Sequence, residues 1–162
     1  MARYSNTTLA EMCTAIDLTL GEALVTSSDL TVSQNYNQLT EGMNDPDVLQ
    51  IYPESQAPVD SSSGATHKLT LGDSDGAVIQ EEVTIHVDYY AKQRGADLSE
   101  DMAAMVAGVD AIIANLKTQD CQPFNLTNCR SFQWSWTRAV FAYGEPELKY
   151  TGARFILVLR LF

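Results

Sequence analysis

The sequence predicts an α+β fold, in which a mixed or antiparallel sheet of about five strands carries two helices on one face. Two segments repeat apolar residues at helical spacing, and shorter segments alternate apolar and polar residues as half-buried strands do. The predicted order of elements is α-β-ββ-α-ββ. Two amphipathic helices and one sheet can bury their apolar faces against each other, so a single domain over residues 1–162 is expected.

The first helix is predicted to begin after Thr8 and to end near Thr26. Thr8 and Glu11 have the spacing of a capping box, in which each side chain satisfies a backbone N–H group of the other residue. The apolar residues that follow are Leu9, Met12, Cys13, Ile16, Leu20 and Leu24. Their spacing places them on one face of a helix.

A short strand, Val48–Tyr52, is predicted to stop at Pro53. Residues 54–66 are rich in serine and other small or polar residues, and we expect them to form a flexible loop. A hairpin is predicted next, with strands His67–Leu71 and Ala77–Ala91 around a Gly-Asp-Ser-Asp-Gly turn.

The long strand of this hairpin has two chemically different faces. Val83, Ile85, Val87 and Tyr89 alternate with Thr84, His86, Asp88 and Tyr90. We expect the first set to face the core and the second to be wetter. His86 and Asp88 could act as a general base and its orienting carboxylate, but the sequence places no nucleophile beside them. A solvated strand face is therefore the favoured interpretation.

The second helix is predicted to span Leu98–Lys117, because Asp97 can cap it and an apolar stripe runs along its length. Strands Phe132–Tyr143 and Leu148–Phe162 then close the chain as a hairpin. The last strand is apolar on both faces, which favours a position inside a sheet or against another subunit.

One face of the last strand is expected to lie under the second helix. The other face carries Ile156, Val158, Arg160 and Phe162. Two helices on the same side of the sheet leave this face uncovered, so its apolar residues favour contact with a neighbouring subunit.

The formal net charge of −11 is unevenly distributed. Residues 1–66 include nine acidic residues and one basic residue, whereas residues 121–162 include five basic residues and two acidic ones. Such a charge repels nucleic acid over most of the surface. Regions of opposite sign favour head-to-tail contacts between copies, although a soluble acidic protein with arginines in its last strands would show the same distribution.

The sequence shows no signal peptide and no apolar run long enough to span a bilayer, so we expect a cytosolic place of synthesis. Cys13 falls on the apolar face of the first helix. Cys121 and Cys129 flank a loop. Free thiols are favoured in a reducing compartment, with a disulfide between these two as the alternative.

No motif predicts a catalytic, cofactor-binding or metal-binding residue. Asp73 and Asp75 begin a segment like a calcium loop, but the glycine and glutamate that such a loop requires are not in place, which favours a hairpin turn. The sequence contains no phosphate-binding glycine-rich motif and no HExxH or GxSxG motif. We therefore expect no cofactor and no metal.

The first closing strand carries Phe132, Trp134, Trp136, Arg138 and Val140 on one face. Three interpretations are open: packing beneath the helices with Arg138 near the rim, a subunit interface, or a platform on which single-stranded nucleic acid stacks. The acidic net charge disfavours nucleic acid. Packing beneath the helices is the favoured interpretation.

The order of elements resembles that of the tail terminator (tail completion) proteins of long-tailed bacteriophages. The similarity spans nearly the whole chain: an N-terminal helix, the strand Val48–Tyr52 with its aromatic end, the hairpin His67–Ala91, the helix Leu98–Lys117 and two closing strands. The entry into the last strand, Tyr150–Phe155, is similar in character to that of such proteins.

The resemblance implies a structural virion protein without catalytic residues. Such a protein forms a homo-hexameric ring that caps the tail tube, ends its polymerisation and joins it to the head connector. The implied partners are further copies of the chain, the tail tube protein and the head connector or stopper protein. Genomic DNA would pass through the ring without specific binding, and no membrane would be involved. The ring would lie in the tail or neck of the virion after assembly in the host cytoplasm.

Candidate contact residues follow from the positions of loops and of the closing hairpin. Loops can order on binding, which singles out Asp60, Asp73 and Asp75 for contacts with the tube or connector. The candidates for subunit contacts in the closing hairpin are Arg138, Arg154, Ile156, Val158, Arg160 and Phe162.

Other functions stay open at this point. Within the same class, the chain could be another neck protein, such as a stopper or connector, or a tail-tube-like subunit. In a different class, it could be a small cytosolic α+β binding module, or an enzyme that uses His86 and Asp88.

Overall fold

The computed structural model describes residues 6–28, 48–58, 80–91, 98–119, 122–143 and 148–161. The elements within these residues are helices α1 (Leu9–Ser28) and α2 (Leu98–Thr118) and strands β1 (Val48–Pro58), β2 (Glu81–Tyr90), β3 (Cys129–Tyr143) and β4 (Leu148–Leu161). The α+β class is confirmed. The described sheet has four strands, and the predicted strand His67–Leu71 lies outside the described residues.

The sheet is antiparallel throughout, with the strand order β1-β2-β4-β3. β3 and β4 form the predicted closing hairpin, and β4 also pairs with β2 along its length. The last strand therefore lies inside the sheet, as its apolar residues on both faces predicted.

Both helices pack on the same face of the sheet, which we call the helix face. α1 contacts β1 and α2, while α2 contacts β2 and β4. The core between the layers is formed by one cluster that includes Met12, Ile16, Leu20, Leu49, Ile51, Val83, Ile85, Val87, Tyr89, Met105, Val109, Ile112, Leu116, Phe155, Leu157 and Leu159. The predicted helical stripes and the predicted core face of β2 thus meet in one interior.

The predicted helix boundaries agree closely with the structure. The Thr8 N–H group donates to Glu11 Oε2 at 2.7 Å, and the Glu11 N–H group donates to Thr8 Oγ1 at 3.2 Å, which completes the predicted capping box. α1 ends at Ser28 and α2 at Thr118. In the part of the chain that the structure describes, no helix is long and apolar enough to cross a membrane.

The predicted end of the first strand at Pro53 is wrong. β1 continues to Pro58, and its register against β2 shifts between Pro53 and Ser55, so that Glu54 is the extra residue of a bulge. Proline is tolerated here because β1 lies at an edge of the described sheet, where an outward N–H group is not needed. Residues 54–58 of the predicted loop are therefore strand, and residues 59–66 lie outside the described residues.

Two other strand boundaries differ from the prediction. β2 begins at Glu81 rather than Ala77, and residues 77–79 lie outside the described residues. β3 begins at Cys129 rather than Phe132, and its register against β4 shifts between Cys129 and Ser131. The shift turns the Cys129 side chain inward, where it is buried in the core.

A 3-10 turn, Pro123–Asn125, connects α2 to β3 and closes one end of the core. Phe124 has a φ of 57°, in the left-handed region that apolar residues rarely adopt. Its N–H group donates to Gln119 Oε1 at 2.8 Å, and its buried ring meets Phe132 edge-on with centroids 5.5 Å apart. These contacts offset the backbone strain because they place a large ring inside the core.

Candidate functional site

The face of the sheet opposite the helices, which we call the second face, carries the predicted His86–Asp88 pair. His86 is 9% exposed and Asp88 is 2% exposed, so the expectation of a solvated strand face is wrong at these two positions. The side chains of the neighbouring strands explain this burial. Tyr52 on β1 lies directly opposite His86, and Arg154 on β4 lies directly opposite Asp88.

The carboxylate of Asp88 connects three strands. Its Oδ1 accepts from Arg154 Nε at 2.7 Å, and its Oδ2 accepts from Arg154 Nη2 at 2.8 Å and from the Tyr52 hydroxyl at 2.9 Å. The two-pronged arginine contact is the strong geometry for such a pair. One buried charge therefore ties β2 to both of its neighbours.

The tyrosines of this network remain protonated at neutral pH. Burial, assisted by the hydrogen bond to Asp88, raises the pKa of Tyr52 to about 12. Burial also raises the pKa of Tyr90, whose hydroxyl donates to Gln50 Oε1 at 3.0 Å. The hydrogen bonds to Asp88 raise the pKa of Arg154 above its already high value. At neutral pH Tyr52 and Arg154 therefore both act as donors to Asp88, while Tyr90 donates to Gln50.

His86 is enclosed by groups from β1. Its Nδ1 lies 3.4 Å from the Tyr52 hydroxyl, and its Nε2 lies 2.6 Å from Oε2 of Glu54, the bulged residue. The second contact is close but is not directed as a hydrogen bond, and Nε2 itself is buried. The Tyr52 hydroxyl lies between His86 and Asp88, so Asp88 does not orient the imidazole directly. This arrangement encloses the imidazole at the junction of β1 and β2.

The remaining second-face candidates lie further along β4. Ile156 and Val158 are half-buried, while Arg160 is exposed and its Nε lies 3.3 Å from Glu82 Oε2. Ile156, Val158 and Arg160 share one face of β4, as predicted. Arg154 lies on the same face. The candidates Asp60, Asp73, Asp75 and Phe162 lie outside the described residues.

The aromatic face of β3 divides into two parts. Phe132 and Trp134 pack against the core, in agreement with the favoured interpretation. Trp136 is 40% exposed and Val140 is 58% exposed, although both point to the helix face. Trp136 stacks on Phe155 on one side, with ring centroids 6.2 Å apart. The helices do not extend over this end of β3.

Arg138 lies between these two residues on the same face and is exposed. We call Trp136, Arg138 and Val140 the edge patch. Arg154 and Arg160 are both paired with carboxylates, whereas no ion pair or hydrogen bond of the Arg138 side chain is found within the described part of the chain. The edge patch thus combines an unpaired cation with exposed apolar surface, which is typical of a protein contact.

The cysteines of the described residues are buried free thiols. Burial, assisted by the charge of Asp17, raises the pKa of Cys13 to about 11, and burial raises the pKa of Cys129. Both are therefore poor nucleophiles at neutral pH. Among the described residues, no cluster of three or more histidine, cysteine or acidic side chains could hold a metal ion. Cys121 lies outside those residues, and the absence of a cofactor stays a prediction.

A scan against protein-family models finds no match to this chain, and a search of curated proteins finds no significant relative.

The sequence places His86 and Asp88 on one face of a strand, but it does not predict Arg154, Tyr52 or Glu54 as their partners. Tyr52 lies in the predicted strand and pairs directly with His86, whereas Glu54 reaches the network only because β1 pairs with β2 beyond Pro53. The signal available in the sequence was the position of Tyr52 and Glu54 on either side of Pro53. For the exposed part of β3, the sequence contains no signal of where the helix layer ends.

Proposed function

We propose that the protein is a structural virion protein, a tail terminator whose copies form a ring of six on the end of the tail tube. The ring would end tube polymerisation and join the tail to the head connector. The exposed edge patch supports this proposal best, because it offers an association surface that the two described helices leave exposed.

The described architecture is compatible with the family that the sequence resembles. Helix α1, strands β1 and β2, helix α2 and the closing hairpin follow one another as that family's order requires, while the expected strand His67–Leu71 lies outside the described residues. The half-buried Ile156 and Val158 add apolar surface on the second face, where further contacts with the tube or connector could form. The net charge of −11 suits a channel that must not retain DNA.

The buried network around Asp88 favours a structural function over an enzymatic one. His86 has a buried Nε2 close to Glu54, and the Tyr52 hydroxyl separates its other nitrogen from Asp88. A general base must reach the proton that it removes, and here Nε2 is buried while Nδ1 lies against the Tyr52 hydroxyl.

Native mass spectrometry of the purified protein at micromolar concentration tests the proposal, with a ring of six as the expected result. Added to assembling tail tube protein of the same virus, the protein should bind tube ends and stop their growth. A stable monomer in every buffer would overturn the proposal. Micrographs of the complete particle that place the ring at another level of the neck would instead favour a stopper or connector.

A further inference from the structure

The two edges of the described sheet differ in their capacity to pair with another chain. β1 contains Pro53, Pro58 and a bulge, all of which interrupt backbone pairing at an edge. β3 is 15 residues long and contains no proline. Its side chains from Ser135 to Arg138 are all exposed, although they point alternately to both faces.

The two edges also carry opposite charges. The edge patch on β3 presents Arg138, which has no carboxylate partner within the described residues. The β1 edge presents Glu54, whose side chain is 52% exposed even though it contacts His86. Opposite charges on opposite edges of one sheet allow an attractive contact between identical subunits.

A symmetric contact would not use this complementarity. If two edge patches met about a twofold axis, Arg138 of one copy would approach Arg138 of the other, and like charges in a contact are repulsive. A head-to-tail contact pairs the β3 edge with the β1 edge instead. Repetition of such a contact closes a ring when the rotation that relates neighbouring copies is a whole-number fraction of a full turn.

We propose that the edge patch of one copy docks on the β1 edge of a second copy, with Arg138 beside Glu54 of that copy. This inference rests on the proposed ring and names the surfaces that build it. Trp136 and Val140 supply the apolar burial in the contact. Pro53 and Pro58 prevent a continuous backbone ladder, so side chains determine the specificity of the contact.

Charge reversal at the two positions tests this contact. Arg138→Glu and Glu54→Arg should each place like charges in it and weaken assembly by about tenfold or more, as measured by native mass spectrometry and sedimentation. An equimolar mixture of the two variants should recover the ring. When the variants alternate around it, every contact between position 138 of one copy and position 54 of the next joins opposite charges.

The matched controls are Lys117→Glu and Asp110→Arg, which reverse exposed charges on α2, the helix that packs on the inner strands β2 and β4. They should leave the ring intact. Thermal unfolding of each variant identifies a loss of fold, and recovery on mixing shows directly that both edge variants are folded.

The remaining outcomes separate this inference from the proposed function. A wild-type ring that neither edge variant disturbs would overturn the inference and leave the proposed function standing. Loss of assembly in Arg138→Glu together with a normal ring in Glu54→Arg would overturn the head-to-tail pairing. A monomeric wild-type protein would overturn both.

Discussion

Asp88 is buried although it is charged and lies on the sheet face that the helices do not cover. A buried charge is stable only when its partners replace the water that it has lost. Arg154 and Tyr52 do so with three hydrogen bonds from the two neighbouring strands. The contact also fixes the register of these strands, because a slip of one residue would turn Arg154 to the helix face.

Asp88→Asn is expected to lower the free energy of unfolding by about 2–4 kcal/mol, because it leaves the guanidinium of Arg154 without its anion. Urea unfolding at pH 7 measures this loss. The matched control is Glu82→Gln, which breaks the exposed pair with Arg160 and should cost less than about 1 kcal/mol. Equal losses in the two variants would contradict the central role of Asp88.

Asp17 is the second acidic residue with an unusual environment. Its Oδ1 is buried without a hydrogen-bond partner among the described residues, and burial raises its pKa from 3.8 to about 6. The folded state therefore binds a proton that the unfolded state has already released. Stability should fall as the pH rises from about 4 to about 6, because ionisation is then less favourable in the folded protein.

Asp17→Asn should flatten this part of the stability profile and raise the free energy of unfolding at pH 7.5 by about 1 kcal/mol. The value is modest because solvent screens a half-buried group. Thermal unfolding between pH 4 and pH 7.5 provides the measurement, and Asp110→Asn on the exposed side of α2 is the control. An unchanged profile in Asp17→Asn would show that other groups cause the pH dependence.

The packing of α2 on β2 depends on a small residue at one position. A Cβ atom built on Gly108 would collide with the ring and hydroxyl of Tyr89, which is fully buried. The ring cannot move aside easily because it lies in a close-packed core. Glycine therefore sets how closely the helix approaches the sheet.

Gly108→Ala is expected to destabilise the protein by about 1–2 kcal/mol, because overpacking outweighs the gain in helix propensity. In a Tyr89→Leu background the same substitution should be neutral or stabilising, since the obstructing ring is gone. Chemical unfolding of the wild type, the two single variants and the double variant gives the coupling energy between positions 108 and 89. A loss that is the same in both backgrounds would mean that Tyr89 is not the cause.

The strands show where element prediction succeeds and where it fails. The alternation of Val83, Ile85, Val87 and Tyr89 predicts the core face of β2 correctly, because burial on one face repeats every second residue. The end of β1 could not be predicted in the same way. Whether Pro53 ends a strand depends on whether that strand lies at an edge, which is a property of the whole sheet.

At the scale of the whole molecule, the edge patch is expected to control assembly. Val140→Asp should weaken self-association by about tenfold or more, because it places a charge in the apolar part of the contact. Dilution series followed by native mass spectrometry or light scattering measure the change. Folding should be unaffected, since the Val140 side chain is 58% exposed in the subunit.

Leu18→Asp is the matched control, because Leu18 is 53% exposed on α1 and receives the same substitution. It should leave the association constant within about twofold of the wild-type value. If both substitutions weaken assembly equally, general surface hydrophobicity rather than the edge patch drives association.

The sequence by itself determined the amphipathic helices, the core face of β2 and the two-sided character of the last strand. Each of these depends on local periodicity, which residues near in sequence create together. Only the tertiary structure decided that β2 is the second neighbour of β4, that Asp88 is buried, and that part of β3 stays uncovered by the described helices. These features depend on which distant segments meet, and hydrophobic periodicity carries no information about that choice.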